Sequence, residues 1–432
     1  MTELSLGIDI GTSGIRTAVL NKVGDLISSQ RVAHEPQDPN QIDAMAWWRS
    51  VVQCVRAQCA VLREIGHSPD DIMRIGVDGT SGTMVLTDAK LRPVTRALMY
   101  NSSGFEAEAA IIARHAPDTH ITRGSNSALG RALRLQSEDT GKSATHLLHQ
   151  ADFIIAHLLG RGGVSDYNNA LKTGFDPATR TWPDWFAATG LCTSLLPNPV
   201  PAGALVGQIS SVTAQALGVA TSTQIHAGTT DSIAAFLAAA PLKLGAAVTS
   251  LGTTLAIKIL SDTRIDDPNV GLYSHRLGDF WLVGGASNTG GGVLADLFTA
   301  SDLDRLSNAI DPDMESPLDL YPLLKPGERF PINDPEYPPR MNPRPASDAD
   351  YLHGLLESIA RIEAQCYDTI VNRGGAAPKL LFTAGGGAEN DTWTHIRARV
   401  LGLSPNKANH SEASVGIARL IQDMAGNRGD EQ

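Results

Sequence analysis

The run Leu6-Gly7-Ile8-Asp9-Ile10-Gly11-Thr12-Ser13-Gly14-Ile15-Arg16-Thr17-Ala18-Val19-Leu20 opens the chain as a hairpin. Leu6 to Ile10 has the β-rich composition of a strand, Gly11 to Gly14 that of a tight turn, and Ile15 to Leu20 that of the returning strand. The same grammar recurs about half a chain later. There Ala247 to Leu251 runs into Gly252-Thr253-Thr254, and Leu255 to Leu260 returns. An internal duplication is the most economical reading, and it predicts two α/β halves.

Working outward, further β-rich runs end in glycine. Ile72 to Val77 leads into Asp78-Gly79-Thr80-Ser81-Gly82, and Gln224 to Ala227 into Gly228-Thr229-Thr230-Asp231. Phe280 to Gly292 and Leu380 to Gly387 repeat the pattern. Apolar spacing predicts helices over Ala44 to Leu62, Ser232 to Ala240 and Tyr351 to Val371. His146 and His149 read as a helical i, i+3 pair with no third metal ligand nearby in sequence. A boundary at Pro241 to Gly245 divides the chain into residues 1–243 and 244–432. Pro317 to Pro345 holds nine prolines and predicts a long irregular surface segment.

Composition narrows the function classes. The chain has 432 residues, with 35 Lys plus Arg against 46 Asp plus Glu, for a net charge of −11. No basic run is present, which argues against a nucleic-acid partner. A hydrophobic content of 42% with 19% charged residues is that of a folded globular chain. Four scattered cysteines form neither a disulfide framework nor a zinc pattern and suit a reducing compartment. The first residues lack a signal-peptide pattern and no stretch reaches membrane length, so a cytoplasmic location and no membrane partner are expected.

The chemistry concentrates at the glycine turns. Glycine after a strand lets backbone N–H groups approach phosphate oxygens, and the turns at Gly11, Gly252, Gly290 and Gly385 all have this form. Gly141-Lys142-Ser143 ends like a phosphate loop but has Gln136 where its first glycine belongs. Gly290-Gly291-Gly292-Val293-Leu294-Ala295 fits a loose dinucleotide fingerprint without a following βαβ unit. Two carboxylates stand out: Asp9 inside an apolar strand, where an unpaired charge is costly, and Asp231 at a helix start. Each alone fits a local structural role. Together they suit metal-assisted phosphoryl transfer.

The hairpin Gly7 to Arg16, with Ala227 to Ser232, Ser250 to Thr254, Gly284 to Gly291 and Ala384 to Asn390, resembles the FGGY carbohydrate kinases in order and spacing over essentially the whole chain. The resemblance implies two ribonuclease-H-like domains of the actin, sugar-kinase and chaperone ATPase type flanking a central cleft. The first would bind sugar and the second most of the ATP. It implies Asp231 as general base, and Asp9 as the carboxylate beside magnesium and the sugar. It also implies Gly11, Thr12, Ser13, Gly252, Thr253, Gly290, Gly386, Gly387 and Asn390 as the nucleotide-binding set. Expected partners are a small-molecule sugar, ATP and Mg2+, on a monomer or homodimer.

Four segments look most like the short xylulose-kinase-like subgroup of cyanobacteria and plants: Asp78 to Thr83, Ser165 to Lys172, Tyr273 to Arg276, and Gly327-Glu328-Arg329-Phe330-Pro331. That closer likeness implies D-ribulose as acceptor, with D-xylulose or another ketose or polyol as the alternative. Thr80-Ser81 stands where typical xylulose kinases carry Met-His, and Tyr100-Asn101-Ser102 where they carry Trp with a carboxylate. Ser81 and Asp78 are therefore the expected sugar-pocket residues beside Asp9 and Asp231. Glu389 replaces a common lysine near the nucleotide. Two other classes compete: a non-catalytic actin-like ATP-binding protein, and a dinucleotide oxidoreductase.

Overall fold

The computed structural model describes residues 3–426. They form two compact units, one made of residues up to Ala238 together with those from Glu412 on, the other of Ala239–Ser411. In the first unit the strands are β1 (Leu4–Ile10), β2 (Gly14–Asn21), β3 (Leu26–Ala33), β4 (Ile72–Gly79), β5 (Met84–Thr87), β6 (His146–His149), β7 (Val164–Asp166), β8 (Asn198–Val200), β9 (Leu205–Gln208), β10 (Gln224–His226) and β11 (Thr229–Thr230). The main sheet runs β3-β2-β1-β4-β10-β9, with β11 also paired to β4. β1 is antiparallel to β2 and parallel to β4.

All seven residues of β1 are buried, as expected of a strand covered on both faces. Leu4, Leu6, Ile8 and Ile10 pack with Trp47, Val51, Val55 and Leu62 of the helix Ala44–Glu64. That helix starts where the Asp43 side chain accepts a hydrogen bond from the Met45 N–H. The other face is built for close approach. Gly7 of β1 lies in register with Ala18 of β2 and Gly76 of β4. On this row of small residues sits the closing helix, Ala413–Gly426. A Cβ on Gly7 would lie 1.9 Å from the Ser414 carbonyl oxygen, and one on Gly76 2.7 Å from Ile421. The division expected at residue 243 runs along the chain, while in space the last helix, from the second half, covers the first sheet.

In the second unit the strands are β12 (Ala246–Leu251), β13 (Leu255–Ser261), β14 (Tyr273–Leu277), β15 (Phe280–Ser287), β16 (Leu380–Ala384) and β17 (Pro405–Lys407), in the order β14-β15-β13-β12-β16-β17. β12 is antiparallel to β13 and parallel to β16, and β13 is antiparallel to β15. This repeats the β3-β2-β1-β4 relation, as the duplication predicts. The helix Asp348–Val371 supplies much of this unit's core through Leu352, Leu355, Leu356 and Ile359.

Two local expectations change. His146 and His149 lie on β6, because Thr87 and Met84 pair with them in an antiparallel ladder. The helix begins only at Gln150, where Asp152 closes a capping box on His149. The proline-rich segment is irregular but not simply a surface segment: Leu320, Tyr321, Leu323, Glu328 and Phe330 are buried. No helix among the described residues is long and apolar enough to cross a membrane.

Candidate active site

In the first unit, three carboxylates gather where parallel strands end. Asp9 of β1 is in register with Asp78 of β4, Asp78 with Thr229 of β11, and Gly79 with Thr230. Asp231 follows directly and opens the helix Asp231–Ala239. The carboxyl ends of parallel strands are where open α/β sheets bind ligands. Gly228 makes this crossing possible, since a Cβ there would lie 2.1 Å from the Val77 carbonyl oxygen.

The three carboxylates differ in environment. Asp9 is 4% exposed and pairs with Arg16, Nη1 to Oδ2 at 3.0 Å; Arg16 in turn lies 3.4 Å from Glu412. Burial raises the Asp9 pKa, opposed by the hydrogen bond and charge of Arg16. Asp78 is fully buried, and neither of its oxygens accepts a hydrogen bond. Burial, with the charges of Asp9 and Asp231, holds its pKa well above the ordinary range. Two neighbouring carboxyl groups do not both ionise cheaply, and Asp78 is the more reluctant of the two to do so. The structure thus corrects one sugar contact expected from sequence: Asp78 is closed off from solvent. Asp231 is partly exposed, with Oδ1 accepting from the Ser232 N–H at 2.6 Å.

The first glycine turn stands beside this set. The Gly11 N–H donates to the Gly14 carbonyl at 3.0 Å, and the His34 ring bonds both the Gly11 carbonyl (3.0 Å) and the Ser50 hydroxyl (3.1 Å). Thr12 and Ser13 are left exposed at its tip. A cavity of about 560 Å³ opens here, lined in part by Thr12, Ser13, His34, Met99, Asn101 and Ser102. The half-buried Ser81 occupies the turn after β4. That turn is fixed by Gln150, whose Oε1 accepts from the Thr80 N–H at 2.9 Å and hydroxyl at 2.7 Å. Buried Arg131 donates to the carbonyls of Gly82, Tyr100 and Asn126, tying this turn to the segment that carries Asn101.

In the second unit, three glycine turns meet at one end of the strands β12, β15 and β16. Gly291 N–H donates to the Gly252 carbonyl at 2.8 Å, Gly292 N–H to the Thr253 carbonyl at 3.0 Å, and Leu255 N–H to the Thr289 carbonyl at 2.7 Å. Gly290 has φ +145° and Gly385 φ +88°, which L side chains rarely adopt. A Cβ on Gly385 would lie 2.6 Å from the Leu251 carbonyl oxygen, which brings the third turn against the first. Gly386 faces open space and Thr253 is exposed. Asn390 does not offer a free side chain: its Oδ1 caps the helix Asp391–Leu401 at Trp393 N–H, and its Nδ2 donates to Ser307. The Glu389 charge is met by Lys407, at 2.7 Å, so this loop keeps a cation beside it.

Sequence reasoning missed Arg16, Gln150, Arg131 and Glu328 as partners of these turns. Arg16 had a signal, since it faces Asp9 across the quoted hairpin. Gln150 and Arg131 reach their turns from 70 and 49 residues away, and no local pattern announces that. No group of three or more His, Cys, Asp or Glu spaced to hold a metal ion occurs among the described residues. A magnesium ion that arrives with nucleotide phosphates and keeps its waters needs only one or two carboxylates, which the Asp9 side of the site can supply.

The model for the N-terminal domain of the FGGY family of carbohydrate kinases matches residues 4–238, and that for the C-terminal domain matches residues 247–421. Xylulose kinase of Escherichia coli K12 is 24% identical over 97% of this chain and 90% of its own length. Gluconokinase of Bacillus subtilis is 22% identical over 72% and 63%. Among solved structures, xylulose kinase from Rhodospirillum rubrum superposes with a TM-score of 0.84 at 20% identity, covering 100% of this chain and 91% of its own. Plasmodium falciparum glycerol kinase with ADP gives 0.81 at 15% identity, covering 97% and 89%. These likenesses establish the fold.

Proposed function

The chain belongs to the FGGY family of carbohydrate kinases, and from that premise we propose that it transfers the γ-phosphate of ATP to a terminal hydroxyl of a pentulose, D-ribulose first. The observation that carries the reading is Asp231: a partly exposed carboxylate at a helix start, beside Asp9 and Asp78 at the ends of parallel strands. In this reading Asp231 accepts the proton of the attacking hydroxyl. A sugar hydroxyl is a weak acid, and such assistance contributes roughly 10²–10⁴ in rate. Asp9, oriented by Arg16 and flanked by Asp78, faces the cation and the sugar. Magnesium, when bound, would neutralise charge on the phosphates.

The turns at Gly11–Ser13, Gly252–Thr253, Gly290 and Gly386–Gly387 serve as phosphate and nucleotide donors, so that charge spreading over the transferred group meets fixed N–H and O–H dipoles. Ser81 contacts the sugar. The neutral set Thr80, Ser81, Asn101 and Ser102 favours D-ribulose over the acceptor of typical xylulose kinases. D-xylulose is the second reading, supported by the names of the relatives that cover most of the chain.

A coupled assay of ADP release over D-ribulose, D-xylulose, L-ribulose, glycerol and gluconate tests this. The highest kcat/KM is expected with D-ribulose. A higher value with D-xylulose reassigns the acceptor. Nucleotide binding without stimulation by any acceptor removes the kinase reading and favours a non-catalytic ATP-binding protein.

A further inference from the structure

The segment Gly327-Glu328-Arg329-Phe330-Pro331 belongs to none of the glycine turns, yet it is tied to one of them. Glu328 is 2% exposed and both its oxygens are fully engaged. Oε2 accepts from the Ser287 hydroxyl at 2.6 Å and the Tyr321 hydroxyl at 2.9 Å. Oε1 accepts from the backbone N–H of Asn288 and of Arg329, each at 2.7 Å. Ser287 passes the constraint on, accepting from the Thr289 N–H at 3.1 Å. From the same segment Arg329 Nε donates to Asn288 Oδ1 at 2.7 Å, and the Gly327 carbonyl accepts from Asn288 Nδ2 at 3.0 Å. Every residue from Ser287 to Thr289 is thereby held from one side.

Those three residues lead directly into Gly290-Gly291-Gly292, and that turn is bonded to the turn of Gly252 and Thr253 through the Gly291, Gly292 and Leu255 N–H groups. One buried carboxylate is thus linked by hydrogen bonds, through Ser287 to Thr289, to two turns. We propose that Glu328 is a positioning residue for nucleotide binding: it sets the backbone donors of the Gly290 and Gly252 turns without touching the nucleotide. This rests on the reading of those turns as the ATP site. A charged acceptor suits the task, because bonds to a carboxylate are stronger than neutral ones and a buried carboxylate left short of partners is costly. The four donors therefore act as a set that has one arrangement.

The test compares wild type, Glu328→Ala, Glu328→Gln and Ser287→Ala by calorimetric titration with MgADP and by steady-state kinetics with ATP and the acceptor varied separately. Glu328→Ala is expected to weaken MgADP binding at least tenfold and to raise KM for ATP, leaving KM for the acceptor near wild type. Glu328→Gln retains an acceptor for the Asn288 and Arg329 N–H groups and is expected to recover most of the affinity. Ser287→Ala removes one link and should weaken MgADP several-fold; it serves as the readout if Glu328→Ala does not fold. Wild-type binding by folded Glu328→Ala, or by Ser287→Ala in its place, overturns the positioning role. A loss shared equally by both KM values overturns it too. Failure of the wild type itself to bind MgADP removes the nucleotide-site reading, and with it this inference.

Discussion

His157 shows how a single side chain here sets pH behaviour away from the site. Its ring stacks on Trp48 at 5.0 Å and meets Phe153 edge-on at 4.5 Å, with Nε2 buried and unbonded. Burial lowers its pKa to about 4. The folded value lies below the unfolded value of about 6.5, so the stability it contributes is present above pH 6.5 and is lost as pH falls toward 4. Between pH 7 and pH 4.5, wild type is expected to lose on the order of 2 kcal/mol more than His157→Phe in urea denaturation. Equal losses contradict the assignment. The sequence signal for Asp9 and Asp231 was local, since each adjoins a glycine turn, and strand register places Asp9 beside Asp78 and Asp231 just after its partner strand. Asp78 was legible as a neighbour and misread as a contact, since complete burial is a property of packing and not of its own segment. The cap that Asn390 places on Trp393 is likewise a property of the folded loop and not of the turn pattern.

At the scale of elements, hairpins and long helices could be read from period and turn chemistry alone, and the two hairpins and the helices at Ala44–Glu64 and Asp348–Val371 stand where their spacing puts them. What covers what could not be read. Nothing in Ala413–Gly426 says which sheet it joins; the answer lies in Gly7, Ala18 and Gly76, three small residues brought side by side only once β2, β1 and β4 pair. This seat makes a graded prediction. A methyl on Gly76 meets the ends of the Ile417 and Ile421 side chains, which can shift, whereas a methyl on Gly7 meets the Ser414 backbone. Gly76→Ala should cost about 1–3 kcal/mol and Gly7→Ala more, measured by urea denaturation. Equal costs would contradict a seat in which backbone contact is the limiting approach.

For the whole molecule, the net charge of −11 and the absence of a basic run left room for small-molecule chemistry and little for nucleic acid. The duplication visible in the two hairpins extends to strand order, since an antiparallel trio followed by a parallel strand occurs in both units. The two units differ in what stands at the ends of these strands: carboxylates in the first, interlocked glycine turns in the second. The acceptor was the least legible property: the neutral side chains proposed to read it, around Ser81 and Asn101, are placed with the help of Gln150 and Arg131 far away in sequence. In the proposed reaction Asp231 removes the acceptor's proton during phosphoryl transfer. The most direct measurement is acceptor-dependent ADP release by wild type and Asp231→Asn in parallel, with unfolding curves for both. Turnover is expected to fall by roughly 10²–10⁴ in the variant, with nucleotide affinity and the unfolding midpoint unchanged; turnover within a few-fold of wild type would contradict it.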